Sequence, residues 1–155
     1  MARAQSTDFL QNFRYGVTAA DPTLLQPEGG FNSVTIPDIS IEIAEYREGT
    51  DPGFPRKFPG LAAFTDITLT RGVVRGDTKF FDWVVARVIG GQEYRTDIAI
   101  FHFHRDDPVT PAKTYRLQEA FPIRVKVAGD LDAASSDVSI SELDIAFESM
   151  QLDSQ

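Results

Sequence analysis

Residues 39–49 of this 155-residue chain read ISIEIAEYREG, and their spacing decides the class of fold. Ile39, Ile41 and Ile43 alternate with Ser40, Glu42 and Ala44. A period of two belongs to a half-buried β-strand, because successive side chains leave a strand on opposite faces. Residues 65–71, TDITLTR, repeat the pattern, with Ile67 and Leu69 inward and Asp66, Thr68 and Thr70 outward. Between the two strands lie residues 48–60, which hold Pro52, Gly53, Pro55, Pro59 and Gly60. Proline lacks the donor that a ladder needs, and glycine weakens a strand, so this density predicts a long hairpin loop. Phe54 and Phe58 sit on that loop and need cover. Either they fold back onto their own domain or they pack on another subunit, since contiguous exposed apolar surface marks interfaces.

Working outward, residues 12–19 and 31–36 read as short strands on either side of a Pro/Gly loop at 21–30, and Pro37-Asp38 ends the second. Residues 77–89 form the one convincing helix, capped by Asp77 and ended by Gly90-Gly91. Its apolar set (Phe80, Phe81, Trp83, Val84, Val85, Val88, Ile89) covers most of its circumference. Such a helix is normally buried almost all round. A small sheet covers one side, so a neighbouring subunit is expected against the other, with Phe80, Phe81, Trp83 and Val84 as the contact residues. Strands follow at 94–105, at 121–128 with Ile123, Val125 and Val127 alternating against Arg124 and Lys126, and at 138–150 with Leu143, Ile145 and Phe147 alternating against Glu142, Asp144 and Glu148. The expected fold is mainly β: a small antiparallel β-barrel or sandwich of six to seven strands with one flanking α-helix, in a single domain over residues 1–155.

Composition narrows the function classes. Hydrophobic residues make up 42% and charged residues 25%, as in a globular protein. There is no cysteine, which excludes disulfides, thiolate metal sites and cysteine nucleophiles. No apolar run reaches the ~18 residues of a membrane span, and residues 1–12 lack a signal-peptide core, so a soluble protein outside the general secretory route is expected. The net charge of −8 argues against a nucleic-acid grip. The charge is uneven: residues 119–155 carry eight acids against two bases, −6 of the −8. Glu142, Asp144 and Glu148 are then either a solvated face or an acidic surface that meets a basic partner or lines a channel.

Catalytic chemistry finds little support. His102 and His104 share a strand face that Asp106 would continue, but no other histidine or cysteine exists to complete a metal set. Gly29-Gly30 and Gly90-Gly91 are turn signals, not phosphate cradles. No nucleophile elbow is present. The carboxylate pairs Asp106-Asp107 and Asp130 with Asp132 lie in polar turns. Arg75-Gly76-Asp77 spells an adhesion tripeptide, yet a turn followed by a helix cap explains it better. Neither an enzyme nor a cofactor is expected.

The order of motifs carries a resemblance. Residues 41–49 (IEIAEYREG) lead through the Pro-rich loop to 57–60 (KFPG), then to 66–72 (DITLTRG), then to a helix with Phe81-Asp82-Trp83. Residues 115–122 follow before the next strand, and an acidic alternating strand closes the chain. This order resembles the tail tube proteins of contractile phages and extracellular contractile injection systems, a fold shared with Hcp-like tubes, over about residues 10–150. The resemblance implies a small barrel whose subunits form hexameric rings stacked into a hollow tube. It implies partners: a contractile sheath, baseplate and tail-terminator proteins, and cargo or DNA in the lumen. The hairpin, through Asp51, Phe54, Pro55, Arg56, Lys57, Phe58 and Pro59, would reach an adjacent subunit or ring. Assembly in the cytoplasm, then residence in a virion tail or released particle, is implied as well. A ring that initiates the tube near the baseplate, the tube of a true phage tail, a type VI secretion ring, or a monomeric ligand-binding β-barrel module are the alternatives.

Overall fold

The computed structural model describes residues 10, 14–20, 31–50, 53–73, 78–104 and 107–154. The elements are β1 (Tyr15–Ala19), β2 (Ser33–Val34), β3 (Ile39–Tyr46), β4 (Arg56–Phe64), β5 (Ile67–Gly72), α1 (Lys79–Asp82) continued by a π-helical stretch (Trp83–Ile89), β6 (Thr96–His104), β7 (Asp107–Lys126), β8 (Ile140–Ala146) and β9 (Ser149–Ser154). Seven strands form one antiparallel sheet in the order β1-β6-β7-β8-β5-β2, with β9 also on β7. Among the described residues β1 and β2 do not pair, so the barrel is open there. The Tyr15 hydroxyl bridges the gap by donating to the Phe31 carbonyl at 2.8 Å.

The strand β7 organises this sheet. Its first half pairs with β6 and β9, and its second half with β8. The bend falls at Glu119, whose φ of 54° lies in the left-handed region. Its backbone N–H donates to the Asp97 carboxylate at 3.2 Å, an anchor that holds the turn. Opposite the bend, Phe147 and Glu148 interrupt what the sequence predicts as one strand over 138–150, dividing it into β8 and β9.

The core lies between the sheet and the helix. Ile67 and Leu69 of β5, Leu143 and Ile145 of β8, Ile98 and Ile100 of β6, Leu117 of β7 and Val17 of β1 are almost fully buried, with Phe80 and Trp83 of the helix against them. The alternation in β5 and β8 therefore reads as the sequence predicts. The Trp83 Nε1–H donates to the Tyr94 carbonyl at 2.8 Å, which satisfies the one polar atom the ring carries inward. After Asp82 the helix widens, with the Gly90 N–H donating to the Val85 carbonyl and the Gln92 N–H to the Arg87 carbonyl, both five residues back. Gly90 is required there, because a Cβ would fall 2.2 Å from the Ala86 carbonyl oxygen. The predicted cap, Asp77, and the tripeptide at 75–77 lie outside the described residues, as does the loop at 21–30. No helix among the described residues is long and apolar enough to cross a membrane.

Three local readings differ from the structure. Residues 56–60 are strand, not loop: Phe58 pairs with Ala44 and Pro59 with Ile43. The ladder tolerates Pro59 because β3–β4 is a two-stranded ribbon whose outer edges pair with no other strand among the described residues. Residues 107–120 are strand where the sequence offers Pro108, Pro111 and weak alternation, and Pro111 is accommodated at an irregularity opposite Phe103. Ile123 sits at a bulge, between Pro122 opposite Ile145 and Arg124 opposite Asp144, which turns it outward while Val125 packs on the core.

Candidate assembly surfaces

The β3–β4 ribbon is the largest departure from a self-sufficient domain. Its register places Ile39 opposite Phe64, Ile41 opposite Ala62 and Ile43 opposite Pro59, with a shift between Ile41 and Ile43. Gly60 lies in that shift, where a Cβ would come within 3.0 Å of the Glu42 carbonyl oxygen. Cross-strand partners share a face, so these residues form one aliphatic surface. That surface is bare: Ile39, Ile41 and Ile43 are all more than half exposed, Ile43 at 61%. The period of two is present, as the sequence predicts, but the inward face is not covered by this chain. The opposite face is no better covered, with Tyr46 at 56% and Phe58 at 49%, and Leu61 at the shift is 79% exposed. Phe54, in the connection, is 67% exposed, so it does not fold back on its own domain. The ribbon is tied down at its root, where the Phe64 and Phe147 rings approach to 5.4 Å. Pro55, Arg56 and Lys57 are exposed beside Phe54, and Asp51 lies outside the described residues.

The helix divides its apolar residues in two. Phe80 and Trp83 are buried in this chain's own core, and Val84 is partly buried against it. That leaves Phe81, Val85 and Ile89, four residues apart in turn, as the uncovered stripe. Of the four helix residues that the sequence offers to a neighbour, only Phe81 presents a largely open side chain, because the sheet claims the other face.

The carboxylates of the last strands are not an open acidic field. Arg124 of β7 donates to Asp144 through Nε at 2.7 Å and to Glu142 through Nη2 at 2.8 Å. Asp144 also accepts from the Thr68 hydroxyl at 2.8 Å. Partial burial works to raise the Asp144 pKa, but the hydrogen bonds from Arg124 and Thr68 outweigh it, and the carboxyl stays below the usual range. Glu148 is held by Arg95, which lies over the Phe121 ring at 5.1 Å. Thus each of Glu142, Asp144 and Glu148 is paired with an arginine inside the chain, two arginines against three carboxylates. Sequence reasoning missed this because it needs the β7–β8 register, which sets Arg124 opposite Asp144 and Lys126 opposite Glu142.

His102 and His104 are half-buried on β6, where His102 lies beside Tyr15 and Tyr115 in the gap between β1 and β2. Asp106 lies outside the described residues. Among the described residues no three of His, Cys, Asp and Glu converge to hold a metal ion. Asp107 instead closes a local turn, accepting from the Val109 and Thr110 N–H groups at 3.1 Å each, and these bonds lower its pKa.

The family described as T4-like virus tail tube protein gp19 matches residues 11–151. A chain of the sheath-tube complex of an extracellular contractile injection system, PVC, in its extended state has 28% identity and a TM-score of 0.82, over 97% of this chain and 95% of that one. A chain of the PVC sheath/tube terminator in its extended state has 29% identity and a TM-score of 0.79, over 96% and 99%. A chain of the anti-feeding prophage baseplate, solved with six-fold symmetry, shares the fold at 19% identity and a TM-score of 0.76, over 96% and 97%. No curated protein sequence matches the chain. With nearly its whole length matched, this chain belongs to the T4-like tail tube protein gp19 family.

Proposed function

We propose that this chain is a structural subunit of the inner tube of a contractile injection system and not an enzyme. In this reading subunits close into hexameric rings, and rings stack around a lumen inside a contractile sheath. The baseplate and the terminator cap the two ends. The particle acts outside the cell that builds it. The observation that carries the reading is the β3–β4 ribbon, bare on both faces, with Ile39, Ile41 and Ile43 on one and Tyr46 and Phe58 among polar residues on the other. Exposed apolar surface of that extent serves an interface. A ribbon open on two sides suits a closed assembly, in which it lies between neighbours and its free edges find partners. The Phe81–Val85–Ile89 stripe is the second contact. The Arg124 and Arg95 clusters suit a face that meets solvent or the lumen without gripping a strongly basic partner.

Replacing Ile39, Ile41 and Ile43 together by threonine keeps strand propensity and removes the apolar face. The variant should stay folded by circular dichroism and fail to form tubes in electron micrographs. Tubes of normal appearance from that variant would refute the role given to the ribbon.

A further inference from the structure

A cavity of about 260 Å³ opens where β5 ends, the helix begins, β7 ends and β8 starts. Arg71, Val73, Phe80, Phe81, Val127 and Ser141 contribute its walls. It is smaller than the ~300–1,000 Å³ of small-molecule sites, and its scale is that of a protruding side chain. Arg71 is buried at its base, with the guanidinium 3.9 Å from the centre of the Phe80 ring. The mouth is apolar, since Val73, Phe81 and Val127 all remain exposed around it. Beside Val127 runs the connection from β7 to β8, which carries Asp130, Asp132 and Asp137 and has no lysine or arginine. Lys126 reaches Asp130 at 3.7 Å, the one ion pair these three acids make among the described residues. The C-terminal acidity left open by the arginines is concentrated here. Leu131, 94% exposed, stands among these acids.

The tip of the β3–β4 ribbon has the complementary character. Phe54 protrudes and is followed by Pro55, Arg56 and Lys57. An aromatic knob flanked by Lys57, which lies across the ribbon from Glu45, is matched in size and character by an apolar socket with an acidic rim. Their placement on the chain fits the match. The strand β5 starts just after the ribbon returns at Phe64, and it ends at the socket. Its six residues separate ribbon root from socket by about 20 Å. Knob and socket are different patches of one molecule, so their union is heterologous and repeats from copy to copy.

We infer that the Val73–Phe81–Val127 socket receives Phe54 from a second copy of this chain, with Lys57 meeting the acidic connection at 130–137. The inference rests on the tube reading and names the receptor of its ribbon. The native chain has no cysteine, so a disulfide reports the contact cleanly. In assembled protein carrying both Phe54→Cys and Val127→Cys, mild oxidation should give a ladder of covalent multimers on a non-reducing gel. Either single variant should stop at dimers. Tubes that form from the double variant without such a ladder would overturn the socket and leave the tube reading intact. A second measurement covers a double variant that fails to assemble. Lys57→Glu should raise the concentration needed for half-sedimentation about fivefold, the effect of ~1 kcal/mol of rim electrostatics. Adding Asp132→Lys and Asp137→Lys in the same chain should restore it. No effect of Lys57→Glu, or no restoration, overturns the contact. Native protein that never assembles removes the tube reading itself.

Discussion

Two isoleucine- and leucine-to-alanine changes separate surface made for the subunit from surface made for its neighbours. Leu143 is fully buried, in the centre of the sheet between Leu69 of β5 and Val125 of β7. Its truncation costs the transfer of three methyl-scale groups and leaves a cavity, about 2–5 kcal/mol. Ile43 is 61% exposed, so folding recovers well under half of the ~1.5–3 kcal/mol that full burial would give. Ile43→Ala should therefore cost about 1 kcal/mol or less in the isolated subunit. With a urea dependence of about 2 kcal/mol/M, the midpoint should fall by ~1.5 M for Leu143→Ala and by at most ~0.5 M for Ile43→Ala. The single tryptophan, Trp83, is buried in the core, so its fluorescence reads the transition of the barrel. In assembly the ranking should change. Completing the burial of the 61% of Ile43 still exposed is worth about 1–1.8 kcal/mol at an interface, so Ile43→Ala should raise the critical concentration on the order of 5- to 20-fold. If Ile43→Ala in dilute protein shifts the urea midpoint as far as Leu143→Ala does, the ribbon packs on its own domain and the reasoning fails.

Further outcomes follow from single contacts. Trp83→Phe leaves the Tyr94 carbonyl without its donor in a buried place, and thermal melts should report a loss of about 1–3 kcal/mol. Gly90→Ala drives a methyl group into the Ala86 carbonyl, so denaturant titration should show a loss of ~1–3 kcal/mol, where an exposed glycine-to-alanine change would be near neutral. Asp144 has a folded-state pKa below the ordinary 3.8, so its contribution is present above that pH and disappears as pH falls through the lowered value. Comparing melts of the native chain and Asp144→Asn across an acid series should show the native advantage shrinking as pH falls below 3.8; an advantage unchanged through that range would contradict the Arg124–Asp144 pairing.

The parts of the fold that were legible in the sequence are those where one chain supplies both faces of a contact. The alternations of β5 and β8 predict their buried residues because each strand lies mid-sheet over the core. The ribbon was legible as a strand pattern and not as a surface: a period of two says that one face is apolar, not which molecule covers it. The same limit applies to the helix, where all-round apolarity says that one small sheet leaves a side uncovered but not that Phe80 and Trp83 face inward and Phe81, Val85 and Ile89 outward. The first half of β7 was hidden by Pro108 and Pro111, and the missing donor of Pro111 falls at irregular pairing with β6. The pairing of Glu142, Asp144 and Glu148 with arginines depends on cross-strand register and on Arg95, and neither follows from local pattern.

Electron microscopy of the purified protein across a concentration series, with light scattering on the same samples, tests the central claim most directly. The account predicts rings with six-fold symmetry that stack into hollow tubes as concentration rises. A protein that stays strictly monomeric at every concentration, with its β3–β4 ribbon in solvent, would contradict it.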